Sequence, residues 1–359
     1  MNRPASYDWP MAVVILGREQ VRAVRRDPAA RVVVAAWRRL TGGGGRTLVA
    51  CSGGADSSAL VIALAAGLGR KAAGLLTVAH VVHDMRPREE TLADRDAARS
   101  LAAGLGLEFV EAEVSVRGGG AGARNAEAAA RRERYAALRR LAREAGIGFV
   151  ATAHHGGDQV ESVLMGLLRG SGPRGLSGAA PSRQLAHGVR LVRPMLGVGR
   201  ADCERICRLV GWAWREDTTN LDITRLRSAL RHGVVRELVR LRPRAEARIA
   251  AAAELLRDAA GVVEDRAAAV VQMAERGEGR VTWRRADLAQ ERAVVVGEAL
   301  RMAAAELTGG RGRDRLTLRA VGPAVRAIRG EPGRPREFAW RGVVCRVTSR
   351  RVSVERRTE

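Results

Sequence analysis

Aromatic residues make up only 3% of this 359-residue chain, so its cores must be filled mainly by Ala, Val and Leu. Lysine is nearly absent: Lys71 stands alone, and arginine supplies every other basic charge. Four cysteines in a chain of this length are too few for a disulfide framework, which favours a reducing cytosol. No apolar run approaches the roughly 18–20 residues of a membrane span, and Pro10–Gly17 is too short for the core of an export signal. Acidic charge is short as well, 39 Asp+Glu against 62 Lys+Arg, for a formal net charge of +23. What is plentiful is apolar side chain, 46% of the residues, which excludes general disorder. The length favours two or three domains. A surface this positive concentrates polyanions through its long-range field, and nucleic acid is the polyanion to expect.

The patterning divides the chain. Residues 1–45 read as a basic N-terminal extension with helical patterns over Ala12–Arg26 and Pro28–Leu40, closed by Gly42–Gly45, which reads as a flexible joint. Over 46–217, short apolar runs at Thr47–Cys51, Leu75–Val82, Glu108–Val114 and Ile147–Thr152 alternate with helical stretches starting near Ser57, Glu89, Asn125 and Gly157. That alternation predicts an α/β domain: a parallel sheet with helices on both faces, binding ligands beyond the carboxyl ends of its strands. Residues 218–308 read as a basic helical linker and helical domain, helical throughout 245–308. Residues 309–359 read as a small basic region with short strands at Glu337–Trp340, Val343–Thr348 and Arg351–Val354. Seven arginines against one Glu in 223–244, and fourteen against five acids in the last fifty residues, are the places to expect phosphate contacts. Trp283 and Trp340 are expected in the core, with stacking on bases as the alternative.

The chemistry-bearing stretch is Thr47-Leu-Val-Ala-Cys-Ser-Gly-Gly-Ala-Asp-Ser-Ser58. A buried strand runs into Ser52-Gly53-Gly54 and a helix opens at about Ser57. Glycines at such a turn let the backbone approach a ligand closely, and the amides of the loop and helix start point at an anion. The hydroxyls of Ser52, Ser57 and Ser58 are further donors to phosphate oxygens. Asp56 beside phosphate asks for a divalent cation between them, so Mg²⁺ is its natural partner. The stretch lacks the lysine of the Gly-x₄-Gly-Lys phosphate loop. A ligand-free strand-to-helix turn is the alternative, and a Gly-Gly pair alone would not exclude it.

This pattern resembles the N-type ATP pyrophosphatases, the PP-loop family, whose members cleave ATP between the α- and β-phosphates and transfer AMP to a substrate oxygen. Ala151-Thr-Ala-His-His-Gly-Gly-Asp-Gln-Val-Glu-Ser162, continuing to Leu168-Arg-Gly-Ser-Gly-Pro-Arg-Gly-Leu176, is similar to the tRNA(Ile)-lysidine synthetase branch. So is Trp214-Arg-Glu-Asp-Thr-Thr-Asn220 with Arg225-Leu-Arg-Ser-Ala-Leu-Arg231. The likeness covers about 46–235. It implies a Rossmann-like fold and a ligase reaction with ATP as co-substrate and Mg²⁺. The wobble cytidine of an isoleucine tRNA with a CAU anticodon is adenylated, and free L-lysine then displaces AMP. No membrane partner is implied, and a homodimer is left open.

Residue by residue, the resemblance places ATP at Ser52, Gly53, Gly54, Asp56, Ser57 and Ser58, with His80 and His83 toward the adenosine. It assigns Asp56, Arg131, Asp158 and Glu161 to catalysis, and His155, Asp158 and Glu161 to lysine. Asp158 and Glu161 lie three apart at a helix start and share a face, though acids there also complement the helix dipole without any ligand. Arg131 is suited to charge on an α-phosphate, or equally to a solvated helix face. The chain departs from the family pattern at Gly157 and Ser162, where Asp and Thr are usual, and at Val82, Asp84 and Ser228. Two other readings share the fold: a tRNA sulfur-transferase, which needs reactive cysteines, and a non-catalytic RNA-binding relative.

Overall fold

The computed structural model describes residues 17–85, 87–115, 126–215, 226–309 and 316–357. The chain forms two compact units, one from residues up to Glu161 with Ala179–Ala250, the other from Ser162–Gly178 with Ala251–Glu359.

The first unit opens with two helices, α1 (Arg18–Arg26) and α2 (Pro28–Leu40). Asp27 starts α2: its carboxylate accepts the Ala30 N–H at 3.0 Å, and Pro28 takes the first turn, where no amide is needed. The expected flexible joint at Gly42–Gly45 is instead a fixed turn. Gly42, Gly43 and Gly44 carry positive φ, and the Trp37 indole N–H donates across the turn to Thr47 Oγ1 at 3.0 Å. Trp37 and Val33 are fully buried, so these helices belong to the core of the unit.

The sheet elements follow in order: β1 (Thr47–Ala50), α3 (Ala55–Leu68), a 3₁₀ turn (Gly69–Lys71), α4 (Ala72–Leu75), β2 (Leu76–His83), α5 (Arg88–Gly104), β3 (Glu108–Val114), α6 (Ala126–Glu144), β4 (Phe149–Ala151), α7 (Gly156–Leu168), α8 (Pro173–Leu176), β5 (Ser182–Ala186), β6 (Val189–Val192) and α9 (Arg200–Leu209). The strand order is β3-β2-β1-β4-β6-β5, parallel except for the β5–β6 pair. The antiparallel edge strand β5 was not visible in the sequence, because Ser182-Arg-Gln-Leu-Ala lies half-exposed and alternates only weakly. From β1 the chain steps to β2 and β3, then returns to place β4 on β1's other side. The switch in strand order therefore lies between β1 and β4, and a crevice opens there at the carboxyl ends. Helix α3 is apolar all round, with Ala59–Ala66 buried. The stretch Ala55–Leu75 is long and apolar enough to cross a membrane by composition, but its apolar side chains are this unit's core.

Past the undescribed residues 216–225 come α10 (Leu226–Ala229), a π-helical turn (Leu230–Val235), α11 (Arg236–Leu241) and the long α12 (Ala245–Gln272). The second unit then departs from the expected all-helical 245–308. A hairpin, β7 (Glu275–Gly277) and β8 (Arg280–Arg284), turns at Gly279 with φ +64° before α13 (Arg285–Gln290) and α14 (Ala293–Leu307). Helix α15 (Leu318–Arg329) and strands β9 (Arg336–Trp340), β10 (Val343–Val347) and β11 (Arg351–Arg356) complete it. These strands form an antiparallel sheet ordered β7-β8-β11-β10-β9. Trp283 and Trp340 are core residues, packed with Val296, Leu300 and Ile328.

Candidate active site

The loop between β1 and α3 takes the form its sequence dictates. Gly53 adopts φ +84°, where a Cβ would also press within 3.0 Å of the Asp94 carbonyl, so only glycine fits. The Ser57 hydroxyl closes the loop: it accepts the Ser52 N–H at 3.1 Å and donates to the Gly54 carbonyl at 3.1 Å. Arg215 braces it from outside, its N–H donating to the Gly53 carbonyl at 3.0 Å and its Nε to the buried Asp94 at 3.0 Å. From β2, the His80 ring donates to the Cys51 carbonyl at 2.8 Å, and burial lowers its pKa.

A cavity of about 270 Å³ lies over this loop, in the crevice between β1 and β4. Ser52, Asp56, Ser57, His80, His83, Arg131 and Asp158 all line it. Gly53, Gly54, Ser58, His155 and Glu161 are not among its walls; Ser58 is fully buried and Glu161 is 1% exposed. Asp56 Oδ1 is buried with no hydrogen-bond partner among the described residues, while Oδ2 lies 3.6 Å from His155 Nε2 and 3.7 Å from Arg200 Nη1. No group of three potential metal ligands exists among the described residues. The buried, unpartnered Asp56 Oδ1 fits Mg²⁺, which takes one or two carboxylates and fills its sphere with phosphate and water.

The two histidines after β4 face different ways. The Gly157 N–H donates to His155 Nδ1 at 3.0 Å, which places the ring proton on Nε2, toward Asp56 and toward Asp158 Oδ2 at 3.9 Å. His154 pairs through Nδ1 with Thr152 Oγ1 at 2.9 Å and through Nε2 with Arg131 Nη2 at 3.4 Å. Burial pushes its pKa down to about 3; Asp158 opposes the shift, and the charges of Arg193, Arg131 and Arg227 add to it. His154 is thus a neutral acceptor that holds Arg131 at the cavity wall. Arg131 also donates to Tyr135 Oη at 3.2 Å.

Both acids of α7 are gripped by arginines from the turn beyond residue 225. Arg227 donates to Glu161 Oε2 at 2.6 Å and Asp158 Oδ1 at 2.9 Å; Arg231 donates to Glu161 Oε1 at 2.6 Å. Burial raises the Asp158 carboxyl, but His155, His154, Arg227 and the His155 N–H outweigh it and hold the pKa at about 2. The spacing placed these carboxylates on one face; nothing local in the sequence disclosed their arginine partners, which arrive from seventy residues away. Arg200 and Arg193 were also missed. Arg193 lies just past the carboxyl end of β6, where the sheet rule would have found it.

All four cysteines are buried and unpaired. Burial raises each thiol, Cys207 and Cys345 to about 12. None is poised as a thiolate.

A family model described as a PP-loop domain matches residues 34–238. A tRNA(Ile)-lysidine synthase of Bordetella bronchiseptica is 40% identical over 247 residues, 66% of this chain and 69% of that protein. Its counterpart in Chromobacterium violaceum is 37% identical over 217 residues, 60% and 48% respectively. That of Salinispora arenicola is 43% identical over 197 residues, 54% and 56%. The chain spans about half the length of several of these curated relatives. Among solved structures, the U34-tRNA thiolase NcsA of Methanococcus maripaludis aligns at TM-score 0.52 and 15% identity, over 66% of this chain and 79% of that one. At that identity the likeness is one of fold.

Proposed function

The chain belongs to the PP-loop family, among the tRNA(Ile)-lysidine synthases, and on that premise we propose that it joins free lysine to the wobble cytidine of an isoleucine tRNA at the expense of ATP. The observation that carries the reading is the Asp56 carboxylate, one oxygen unpartnered, at the end of a glycine loop and helix start facing a cavity shared with Arg131 and Asp158. The loop amides and the α3 dipole suit a polyphosphate, and Asp56 would hold Mg²⁺ against it. The metal would neutralise charge on the phosphates. Arg131, anchored by neutral His154, stands ready for charge developing on the α-phosphate as the cytidine carbonyl oxygen attacks and the bond to the β-phosphate breaks, releasing pyrophosphate. The adenylated base then becomes the electrophile, and AMP leaves when the lysine ε-amine adds.

Asp158 on the cavity wall and the buried Glu161 are both paired with Arg227 and Arg231, a cluster of both signs that suits a zwitterion: carboxylates for ammonium, guanidiniums for carboxylate. To accept lysine, Asp158 must share or exchange its guanidinium partners. The attacking amine must also shed a proton, and the ionised Asp158 is one acceptor on the cavity wall. The net charge of +23 supports a polyanionic partner, and a CAU anticodon remains part of the reading. Sulfur transfer is disfavoured by four buried, unactivated thiols.

The test is AMP and pyrophosphate formation from ATP with Mg²⁺ and free lysine, with and without an isoleucine tRNA transcript bearing CAU. Wild type should form both only with the tRNA, and Asp56→Ala neither. A wild type that forms no AMP under any condition would leave a tRNA-binding relative instead.

A further inference from the structure

We propose that Glu246 is a positioning residue for the phosphate-loop acid, seating the His155 ring against Asp56 from the start of α12. Its carboxylate occupies space that three glycines leave open. A Cβ on Gly157 would lie 2.8 Å from Glu246 Oε1 and 2.7 Å from His155 Cε1, so the carboxylate and the ring both border the space this glycine leaves. A Cβ on Gly199 would lie 2.5 Å from Glu246 Oε2, and one on Gly156 would meet Glu246 Cβ at 3.1 Å. None of the three adopts a positive φ, so backbone conformation does not require glycine there. What these glycines provide is room, and one carboxylate fills it.

The fixed position of that carboxylate is also explained. It accepts the backbone N–H of Arg200 at the opening of α9, where the helix dipole favours negative charge. Burial raises the Glu246 pKa; His155 draws it down, Asp202 and Asp56 push it up, and the Arg200 N–H draws it down again. On its other side His155 is aligned by the Gly157 N–H, so that Nε2–H faces Asp56 Oδ2. The Glu246 carboxylate interacts electrostatically with this ring from the α12 side. The ring is thus held between Glu246 and Asp56, and α12 sets the phosphate-loop acid through it. Only the kinetic arm of the test rests on the adenylation reading.

The experiment compares wild type with Glu246→Ala, Glu246→Gln, Gly199→Ala and the Gly199→Ala/Glu246→Ala double variant. Six histidines give six ring signals in a histidine-labelled NMR spectrum, with His155 assigned through His155→Gln. Glu246→Ala and Glu246→Gln should move the His155 Cε1–H signal. Gly199→Ala, whose added methyl displaces little but Glu246, should move it too, and the double variant no further than Glu246→Ala alone. In tRNA-dependent AMP formation, kcat should fall about tenfold in each single variant, with KM for ATP within twofold of wild type. A His155 signal unmoved by losing Glu246, or Gly199→Ala and Glu246→Ala defects that simply add, would overturn the proposal. Should Glu246→Ala disturb all six signals, Gly199→Ala, which adds a single methyl, decides. If wild type forms no AMP, the adenylation reading fails, and the ring signals still decide this one.

Discussion

Replacing His154 with Gln should make the parallel-sheet unit more resistant to acid. The ring is pinned between Thr152 Oγ1 and Arg131 Nη2, and burial lowers its pKa to about 3. In the unfolded chain a histidine titrates near 6.5. As pH falls below that value the unfolded state takes up the proton first, so stability present above about pH 6.5 is lost progressively down to the folded pKa near 3. At pH 5, about 1.5 units below the unfolded pKa, the loss is about 2 kcal/mol, at about 1.36 kcal/mol per unit. The ring keeps some contact with water, so about 1–2 kcal/mol is the fair expectation. Asp158 does not confuse this window: its lowered pKa costs stability only below the ordinary carboxylate range. Gln can still pair with Thr152 and Arg131 but does not titrate. Urea unfolding at pH 7 and pH 5, read through amide protection in β1 and β4, gives the difference. Wild type should lose about 1–2 kcal/mol more than His154→Gln between these pH values. Equal losses in the two proteins would refute the buried, neutral histidine and with it the anchoring of Arg131.

Arg227→Ala should cost about 2 kcal/mol by removing a charged hydrogen bond from a carboxylate that is 1% exposed, and Arg227→Ala/Glu161→Gln should cost less than the two single changes combined, by thermal unfolding. Gly67→Ala would set a methyl 2.4 Å from Val34 Cγ2, costing about 1–3 kcal/mol, and Val34→Ala in the same chain should restore most of the lost Tm.

The parallel sheet was legible because β1, β2 and β4 are short apolar runs broken by helical patterns, and because burial on both faces leaves such strands little choice of residue. The tight turn between β1 and α3 was legible because a Gly-Gly pair between an apolar run and a helix start calls for it, and Gly53 does adopt φ +84°. Elements whose meaning depends on distant partners escaped. Strand β7 is fully exposed and β5 half-exposed, so neither carries a hydrophobic signal. The glycines at 42–45 read as a joint, because the Trp37–Thr47 bond that fixes their turn is a tertiary contact. At Gly157, where the family pattern leads one to expect Asp, a side chain would meet the Glu246 carboxylate, about ninety residues later in the chain, and the His155 ring. Likewise the pairing of Asp158 and Glu161 with Arg227 and Arg231 is a product of folding that local spacing could not announce.

The central claim is that the adenylated base is handed to lysine, and transfer of radiolabelled lysine to an isoleucine tRNA transcript bearing CAU tests it most directly. With ATP and Mg²⁺, label should enter that tRNA mole for mole with AMP, and should not enter a methionine tRNA sharing the anticodon. AMP formed without label in the tRNA would contradict the assignment of lysine as nucleophile while leaving the adenylating site in place.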